Sequence, residues 1–226
     1  MTLDIHQTLK PLRAQGIRDV HRLETKLAQN ALEPSVVEDL LAEAHAAFML
    51  ATGGLDIELS DRPDLIIHWN GQIVGAEVKH FRLKGQDTVD DVRLKEESDF
   101  LVEYGDTMPS EGRAAWEQVA AVVLKKAEKA KPGVPNLLVI QSSSTHCIEE
   151  TQVKTAVSFI NQPNVRKTYP TLARLNMLIF MSRNFNLNAQ RSVFAFDLNS
   201  PEVPSPSPVH AICHGIREWT ALDIVH

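Results

Sequence analysis

Apolar residues recur at helical intervals through the N-terminal part of the chain. In residues 1–33 they are spaced three to five positions apart, with a break expected at Gly16. A further helix is expected to open at Pro34, because Ser35 and Glu38 have the spacing of a capping box and an apolar stripe follows them. The chain is therefore predicted to begin with helices.

The period changes from helical to alternating after residues 52–54, Thr-Gly-Gly, a combination that ends helices. Residues 55–59 alternate apolar and acidic side chains, as a strand with one buried face does. Two further apolar runs, residues 65–69 and 73–79, flank Asn70-Gly71, a dipeptide typical of a tight hairpin turn. The sequence thus predicts a strand followed by a β-hairpin.

The segment after the hairpin is acidic and poor in apolar positions. Residues 84–112 are predicted to form a mobile excursion with one short helix near residues 92–104. A helix is then expected over residues 113–131 and a buried strand over residues 136–140. The C-terminal part is predicted to contain a helix over residues 147–160, strands over residues 175–181 and 193–198, and a proline-rich surface loop over residues 200–208.

Composition is that of a single α/β domain. The 226 residues are enough for one buried core, and 43% of them are hydrophobic. No apolar run approaches the ~18 residues of a membrane span, the first residues lack a secretory signal, and Cys147 and Cys213 suit a reducing compartment. We therefore expect a cytoplasmic protein that does not enter a membrane. The net charge of −6 argues mildly against a large non-specific DNA-binding face.

The hairpin carries three side chains that can act together on a phosphate. Side chains alternate across a strand, so Glu77 and Lys79 are expected to share one face of the return strand, while Asp64 precedes the first strand. A carboxylate on an otherwise apolar strand is costly unless it is paired or bound to metal. A structural ion pair between Glu77 and Lys79 is the alternative, but neighbours two apart on a strand are better placed to reach a shared third group.

Residues 63–79, Pro-Asp followed by twelve residues and then Glu-Val-Lys, resemble the motif of the PD-(D/E)XK nuclease superfamily, which includes restriction endonucleases, junction resolvases and repair nucleases. The predicted order over residues 34–142 looks like the αβββαβ core of that fold, with residues 1–33 and 145–226 as additions. The resemblance covers roughly half of the chain. It implies an α/β, restriction-endonuclease-like fold with a central mixed sheet flanked by helices, forming one domain over residues 1–226.

The resemblance also implies roles for individual residues. Asp64 and Glu77 would bind Mg²⁺, with Mn²⁺ as the expected substitute, and Lys79 would orient or deprotonate the attacking water or stabilise the transition state. Many members add an acid from the helix before the first strand, and Glu38 and Glu43 compete for that place. Glu38 is already explained by the capping box, whereas Glu43 lies mid-helix beside small residues that allow close approach to the sheet. We therefore take Glu43 as the third catalytic and metal-binding residue.

These roles predict a Mg²⁺-dependent enzyme that hydrolyses phosphodiester bonds in DNA, with endonuclease activity favoured. Nucleic acid is the expected partner; a protein partner from a defence, repair or mobile-element system and a homodimer remain open. A non-catalytic nucleic-acid-binding or assembly subunit on the same fold is the main alternative, and an accidental motif in an interaction domain is another. Retention of both Asp64 and Lys79 favours catalysis, since degenerate members usually lose one of them.

Two clusters of basic residues stand out in the sequence. Lys79, His80, Arg82 and Lys84 follow one another closely along the chain and would line the same cleft. The lysines of residues 125–131 crowd the end of a helix, where they are expected to complement its dipole. Of these two clusters, the first is predicted to contact phosphate. Scattered basic residues, Arg166, Lys167, Arg174, Arg183 and Arg191, could add contacts, but no motif links them.

Three further expectations concern metals, charge and stability. The cysteines and histidines at residues 146–147 and 210–214 fit no standard zinc spacing, so a zinc site is not expected. The acidic residues 87–111 are expected to lie over the cleft and repel DNA until they are displaced. Without metal, Asp64 and Glu77 are expected to repel each other, so that replacing either with alanine should leave the melting temperature level or raise it.

Overall fold

The computed structural model describes residues 4–82, 114–143, 148–183, 190–198 and 221–222. Its helices are α1 Ile5–Ala14, α2 Val20–Gln29, α3 Pro34–Thr52, α4 Ala115–Ala127, α5 Glu150–Ile160 and α6 Pro163–Thr168, with a 3-10 helix at Pro170–Arg174. Its strands are β1 Asp56–Leu59, β2 Leu65–Trp69, β3 Gln72–Phe81, β4 Asn136–Ser142, β5 Met177–Arg183, β6 Gln190–Asp197 and β7 Ala221–Leu222.

The strands form one mixed sheet in which the spatial order is the chain order, β1 to β7. The pairs β3–β4 and β4–β5 are parallel, and the other four pairs are antiparallel. A parallel pair needs a crossover connection, and α4 lies in the connection between β3 and β4. The predicted α/β class and the mixed sheet flanked by helices are confirmed. The described elements from α3 to β4 follow the order helix, three strands, helix, strand.

The hairpin of β2 and β3 has the predicted turn. Asn70 and Gly71 both have positive φ, 47° and 77°, which is what a two-residue type I′ turn requires. The ladder runs from the pair Trp69–Gln72 to the pair Leu65–Ala76, whereas β3 pairs with β4 as far as Phe81. The last part of β3 therefore extends past the start of β2, and side chains from other elements can approach it there.

Apolar clusters cover both faces of the sheet. One cluster joins α1, α2 and α3 to one face, and the other joins α4, α5 and α6 to the opposite face. Alternate residues of β4 divide between them, because Leu137 and Val139 belong to the first cluster and Leu138 and Ile140 to the second. A strand buried on both faces reads as a continuous apolar run, as β4 does.

The predicted start of α3 at Pro34 is confirmed, but its predicted capping box is wrong, and a later helix begins three residues after its predicted start. Glu33, not Ser35, is the N-cap of α3, and no side chain caps that helix, so the capping box of Ser35 and Glu38 does not form. Proline tolerates the first helical position because it has no N–H to satisfy, and Pro34 therefore sets the start one residue before the serine. The helix predicted from residue 147 begins instead at Glu150, with Glu149 as its N-cap.

One further prediction is confirmed, and two others concern residues outside the described part of the chain. The break at Gly16 is confirmed, since its φ of 75° separates α1 from α2. The acidic segment of residues 84–112 and the proline-rich residues 200–208 lie outside the described residues. Within the described part of the chain, no helix combines the length and apolarity that crossing a membrane requires.

Candidate active site

Asp64 is fixed at the point where β2 begins. Its Oδ2 accepts a hydrogen bond of 2.8 Å from the backbone N–H of Val78 on β3. This N–H lies beyond the last pair of the β2–β3 ladder, so the carboxylate replaces a strand as its partner. The side chain is thereby held against the segment of β3 that carries Glu77.

A glycine opposite Pro63 allows this close approach. A Cβ built on Gly75 would lie 3.1 Å from Pro63 Cγ and 3.0 Å from Asn136 Oδ1. The Asn136 amide cannot easily retreat, because its Nδ2 donates to three backbone carbonyls at 2.7 to 3.0 Å. Gly75 therefore leaves the room that the residue before Asp64 occupies.

Glu77 is buried and ion-paired with a lysine of helix α4. Its side chain is 8% exposed, and its Oε2 lies 3.1 Å from Lys126 Nζ. The same Nζ donates 2.8 Å to the carbonyl of Val78 and lies 3.7 Å from Asp64 Oδ2. Oxygens of Asp64, Glu77 and Val78 thus converge on one ammonium group.

Glu43 of α3 is a third carboxyl group, and the charges of Asp64 and Lys126 both act on it. The pKa of Glu43 is raised to about 7, mainly by burial and next by the negative charge of Asp64, while Lys26 and Lys126 act in the opposite direction. The carboxyl therefore changes its charge close to neutral pH. Glu38, its competitor for the third position, instead has its Oε2 3.7 Å from His80 Nδ1.

Lys79 lies at the rim and is held by an acid that the sequence did not single out. Its Nζ is 2.9 Å from Asp39 Oδ1 and 3.3 Å from Asp39 Oδ2. The lysine side chain is 36% exposed and the aspartate 51%, so water screens this pair. The alternative partnership, a Glu77–Lys79 ion pair, is not what the geometry gives, since each has another partner.

The other members of the basic cluster at the end of β3 are His80, Arg82 and Lys84. Burial lowers the pKa of His80, although Glu38 and Asp39 oppose the shift, so its ring is mainly neutral at neutral pH. The ring nitrogen Nε2 is hydrogen-bonded to the Ser143 hydroxyl. Lys84 lies outside the described residues. Lys79 and Arg82 are therefore the two cations of this cluster that the structure describes.

Lys126 is the site residue that the sequence did not reveal. It lies in the last turn of α4, as predicted, but its ammonium also reaches across to β3 and pairs with Glu77. Helical geometry held a signal, because Lys126 follows Val119 by seven residues and Val123 by three, and both valines are fully buried. A lysine on the buried stripe of a helix requires a partner, since an unpaired buried charge is costly.

The oxygens around the Lys126 ammonium can be compared with the ligands that the expected metal prefers. Among the described residues, no group of three or more histidine, cysteine, aspartate or glutamate side chains is close enough to hold a metal ion. The oxygens of Asp64, Glu77 and the Val78 carbonyl do converge, and hard oxygen donors with one or two carboxylates are the set that Mg²⁺ takes from proteins. The donor chemistry fits Mg²⁺. The cysteines and histidines at residues 146–147 and 210–214, which were considered for zinc, lie outside the described residues.

No protein-family model, curated protein or solved structure matches the chain.

Proposed function

We propose that this protein is a metal-dependent nuclease that hydrolyses phosphodiester bonds in DNA. Asp64 and Glu77 hold Mg²⁺, Glu43 completes the acidic surrounding, and Lys79 assists the attacking water or the transition state. The proposal assigns the chain to the PD-(D/E)XK superfamily with the restriction-endonuclease-like core in residues 34–142.

One observation carries the proposal. Asp64 and Glu77 are thirteen positions apart in the sequence, yet both place a carboxylate oxygen within 4 Å of the same cation, the Lys126 ammonium. A pair of acids that served only to support the hairpin would not need to meet at a position that favours positive charge. This position lies where β3 extends past β2, so a phosphate could approach from the β2 side.

The chain's own residues supply binding, orientation and charge. A bound Mg²⁺ would acidify a water molecule and neutralise charge on the phosphate oxygens. Asp64 is kept in place by the Val78 N–H, and Glu77 by its burial on the sheet. Lys79 has a flexible stem and an exposed head, so its ammonium can exchange Asp39 for a phosphate oxygen.

A cleavage assay tests the proposal. The full chain would be incubated with supercoiled, linear, single-stranded and branched DNA, and with RNA, in the presence of Mg²⁺ or Mn²⁺. Asp64→Asn should lower the cleavage rate roughly 100-fold or more, because it removes a charge that would contact the metal. Asp56→Asn is the matched control, since Asp56 lies on β1, is 59% exposed and pairs with Arg18.

Two results would contradict the proposal. The first is metal-dependent cleavage that Asp64→Asn leaves at the wild-type rate, which would point to a contaminating nuclease. The second is the absence of cleavage of every substrate by wild-type protein that binds Mn²⁺. That second result would favour the alternative, a non-catalytic nucleic-acid-binding or assembly subunit on the same fold.

One observation favours the non-catalytic subunit. Both candidate lysines are already engaged with acids, Lys126 with Glu77 and Lys79 with Asp39. A protein that no longer needed a metal could keep its carboxylates neutralised in this way. Gel-shift measurements in EDTA distinguish the two functions, because DNA binding by the subunit would not depend on a divalent metal.

A further inference from the structure

The ammonium of Lys126 has the surroundings of a bound cation. It donates to the Val78 carbonyl at 2.8 Å and to Glu77 Oε2 at 3.1 Å, and it lies 3.7 Å from Asp64 Oδ2. The lysine side chain is 14% exposed and the two carboxylates 18% and 8%, so water screens the group only weakly. These are the oxygens to which the proposed function assigns a divalent metal.

We propose that Lys126 is an internal counter-ion that competes with the divalent metal for Asp64 and Glu77 and so sets the metal affinity of the site. The inference rests on the metal site of the proposed function. An ammonium and a divalent cation cannot both use Glu77 Oε2 and the Val78 carbonyl at these distances. Metal binding therefore requires the ammonium to leave, and the energy of its contacts is subtracted from the binding energy of the metal.

Lysine is suited to leaving this position. Its charge sits on a flexible four-carbon stem, and α4 can stay in place while the head group moves. The helix itself is anchored by Val119, Val123 and Ala127, which are fully buried. The exchange is therefore a movement of one side chain and leaves the sheet and helix packing unchanged.

Metal titration without DNA tests the inference. Full-length protein freed of metal with EDTA would be titrated with Mn²⁺ in a calorimeter at neutral pH and moderate salt. Lys126→Met removes the competing charge and keeps a stem of similar length, so the Kd for Mn²⁺ should fall roughly tenfold, which corresponds to about 1.4 kcal/mol. Lys125→Met is the matched control, because Lys125 is the preceding residue of α4 and is exposed, and its Kd should equal that of the wild type.

Thermal unfolding gives a second readout. Without metal, Lys126→Met leaves the carboxylates of Asp64 and Glu77 without their counter-ion and should unfold at a lower temperature than the wild type. Saturating Mn²⁺ should raise its melting temperature by more than it raises that of the wild type, because binding of the metal then removes repulsion. Lys126→Gln serves if the methionine variant does not fold, since it keeps an N–H donor for the Val78 carbonyl while removing the charge.

The outcomes separate this inference from the proposed function. Mn²⁺ binding that is equally tight or weaker in the two Lys126 variants overturns the inference and leaves the nuclease proposal standing. Tighter binding in the variants together with no cleavage of any nucleic acid supports the inference and overturns the nuclease. Absence of Mn²⁺ binding in all of these proteins overturns the metal site and the inference with it.

Discussion

Two lysines beside the candidate site are held in contrasting ways. Lys126 comes from the buried stripe of α4, is 14% exposed and contacts two carboxylates and a carbonyl. Lys79 comes from the motif on β3, is 36% exposed and contacts one carboxylate, Asp39, that is itself half exposed. The lysine that the motif identifies is therefore the more weakly held of the two.

The difference follows from dielectric surroundings. Charges that are removed from water interact strongly and are costly to leave alone, whereas exposed pairs contribute little because water and salt screen them. Lys126 should therefore matter for stability, and Lys79 should matter for chemistry. A flexible, weakly held lysine is also the one that can move to a phosphate at no large cost.

Loss of Glu77 should have the largest effect on stability. Glu77→Ala leaves the Lys126 ammonium largely buried without its nearest carboxylate, so we expect the free energy of unfolding to fall by about 3 kcal/mol. This revises the expectation from sequence that removing the carboxylate would relieve repulsion. Urea unfolding in EDTA measures the change, and the double variant Glu77→Ala, Lys126→Met should recover part of the loss. A level or raised melting temperature in Glu77→Ala would show that the pair contributes no stability.

Glu43 should make stability depend on pH. Its pKa is about 7 in the folded protein and near 4.5 when unfolded, so folding favours the protonated form. The stability linked to this proton is fully present below pH 4.5 and is lost as the pH rises through 7. In EDTA at pH 8, Glu43→Gln should therefore be more stable than the wild type by roughly 2 to 3 kcal/mol, and the advantage should vanish near pH 4.5.

An exposed glutamate gives the control for that prediction. Glu128 lies just after α4 and is exposed, so Glu128→Gln should differ from the wild type by about the same small amount at both pH values. Denaturant unfolding at a series of pH values compares the variants. A pH-independent difference between Glu43→Gln and the wild type would mean that the carboxyl is not shifted as described.

Replacing Gly75 should have a smaller effect on stability, and it should act through the placement of Asp64. In Gly75→Ala the added methyl would press on Pro63 and on Asn136, whose amide is fixed by three hydrogen bonds. We expect a loss of about 1 to 2 kcal/mol in unfolding free energy. The Kd for Mn²⁺ should also weaken, since Asp64 follows Pro63 directly. Unchanged stability together with unchanged metal binding would show that the hairpin accommodates the methyl freely.

Lys79 should have the smallest effect on stability and a large effect on turnover. Lys79→Ala removes only a screened pair, so the free energy of unfolding should change by less than about 0.5 kcal/mol. The single-turnover cleavage rate should fall roughly 100-fold, while DNA binding measured in Ca²⁺ should change little. Asp39→Asn tests the other partner, because it frees Lys79 and should not lower the rate. Equal losses of rate and binding in Lys79→Ala would make the lysine a phosphate contact.

Local sequence was sufficient for much of the architecture. The alternation of residues 55–59, the Asn70-Gly71 turn and the apolar run of β4 each depend on neighbours in the chain, and all three elements formed as predicted. The position of Asp64 before β2 and of Glu77 on β3 followed from the same local rules. The start of α3 at Pro34 did as well, but its predicted capping box did not form, because Glu33 and not Ser35 is the N-cap.

Partners that come from distant parts of the chain were decided only by the tertiary structure. Lys126 and Glu77 are 49 positions apart, and Lys79 and Asp39 are 40 apart. Which residues meet over such separations in the sequence depends on how each helix is rotated on the sheet and on where a long side chain ends. The sequence by itself determined the strands and the acids they carry. Packing decided which lysine neutralises those acids, because an unpaired charge is costly at the buried position of Lys126 and inexpensive at the exposed position of Lys79.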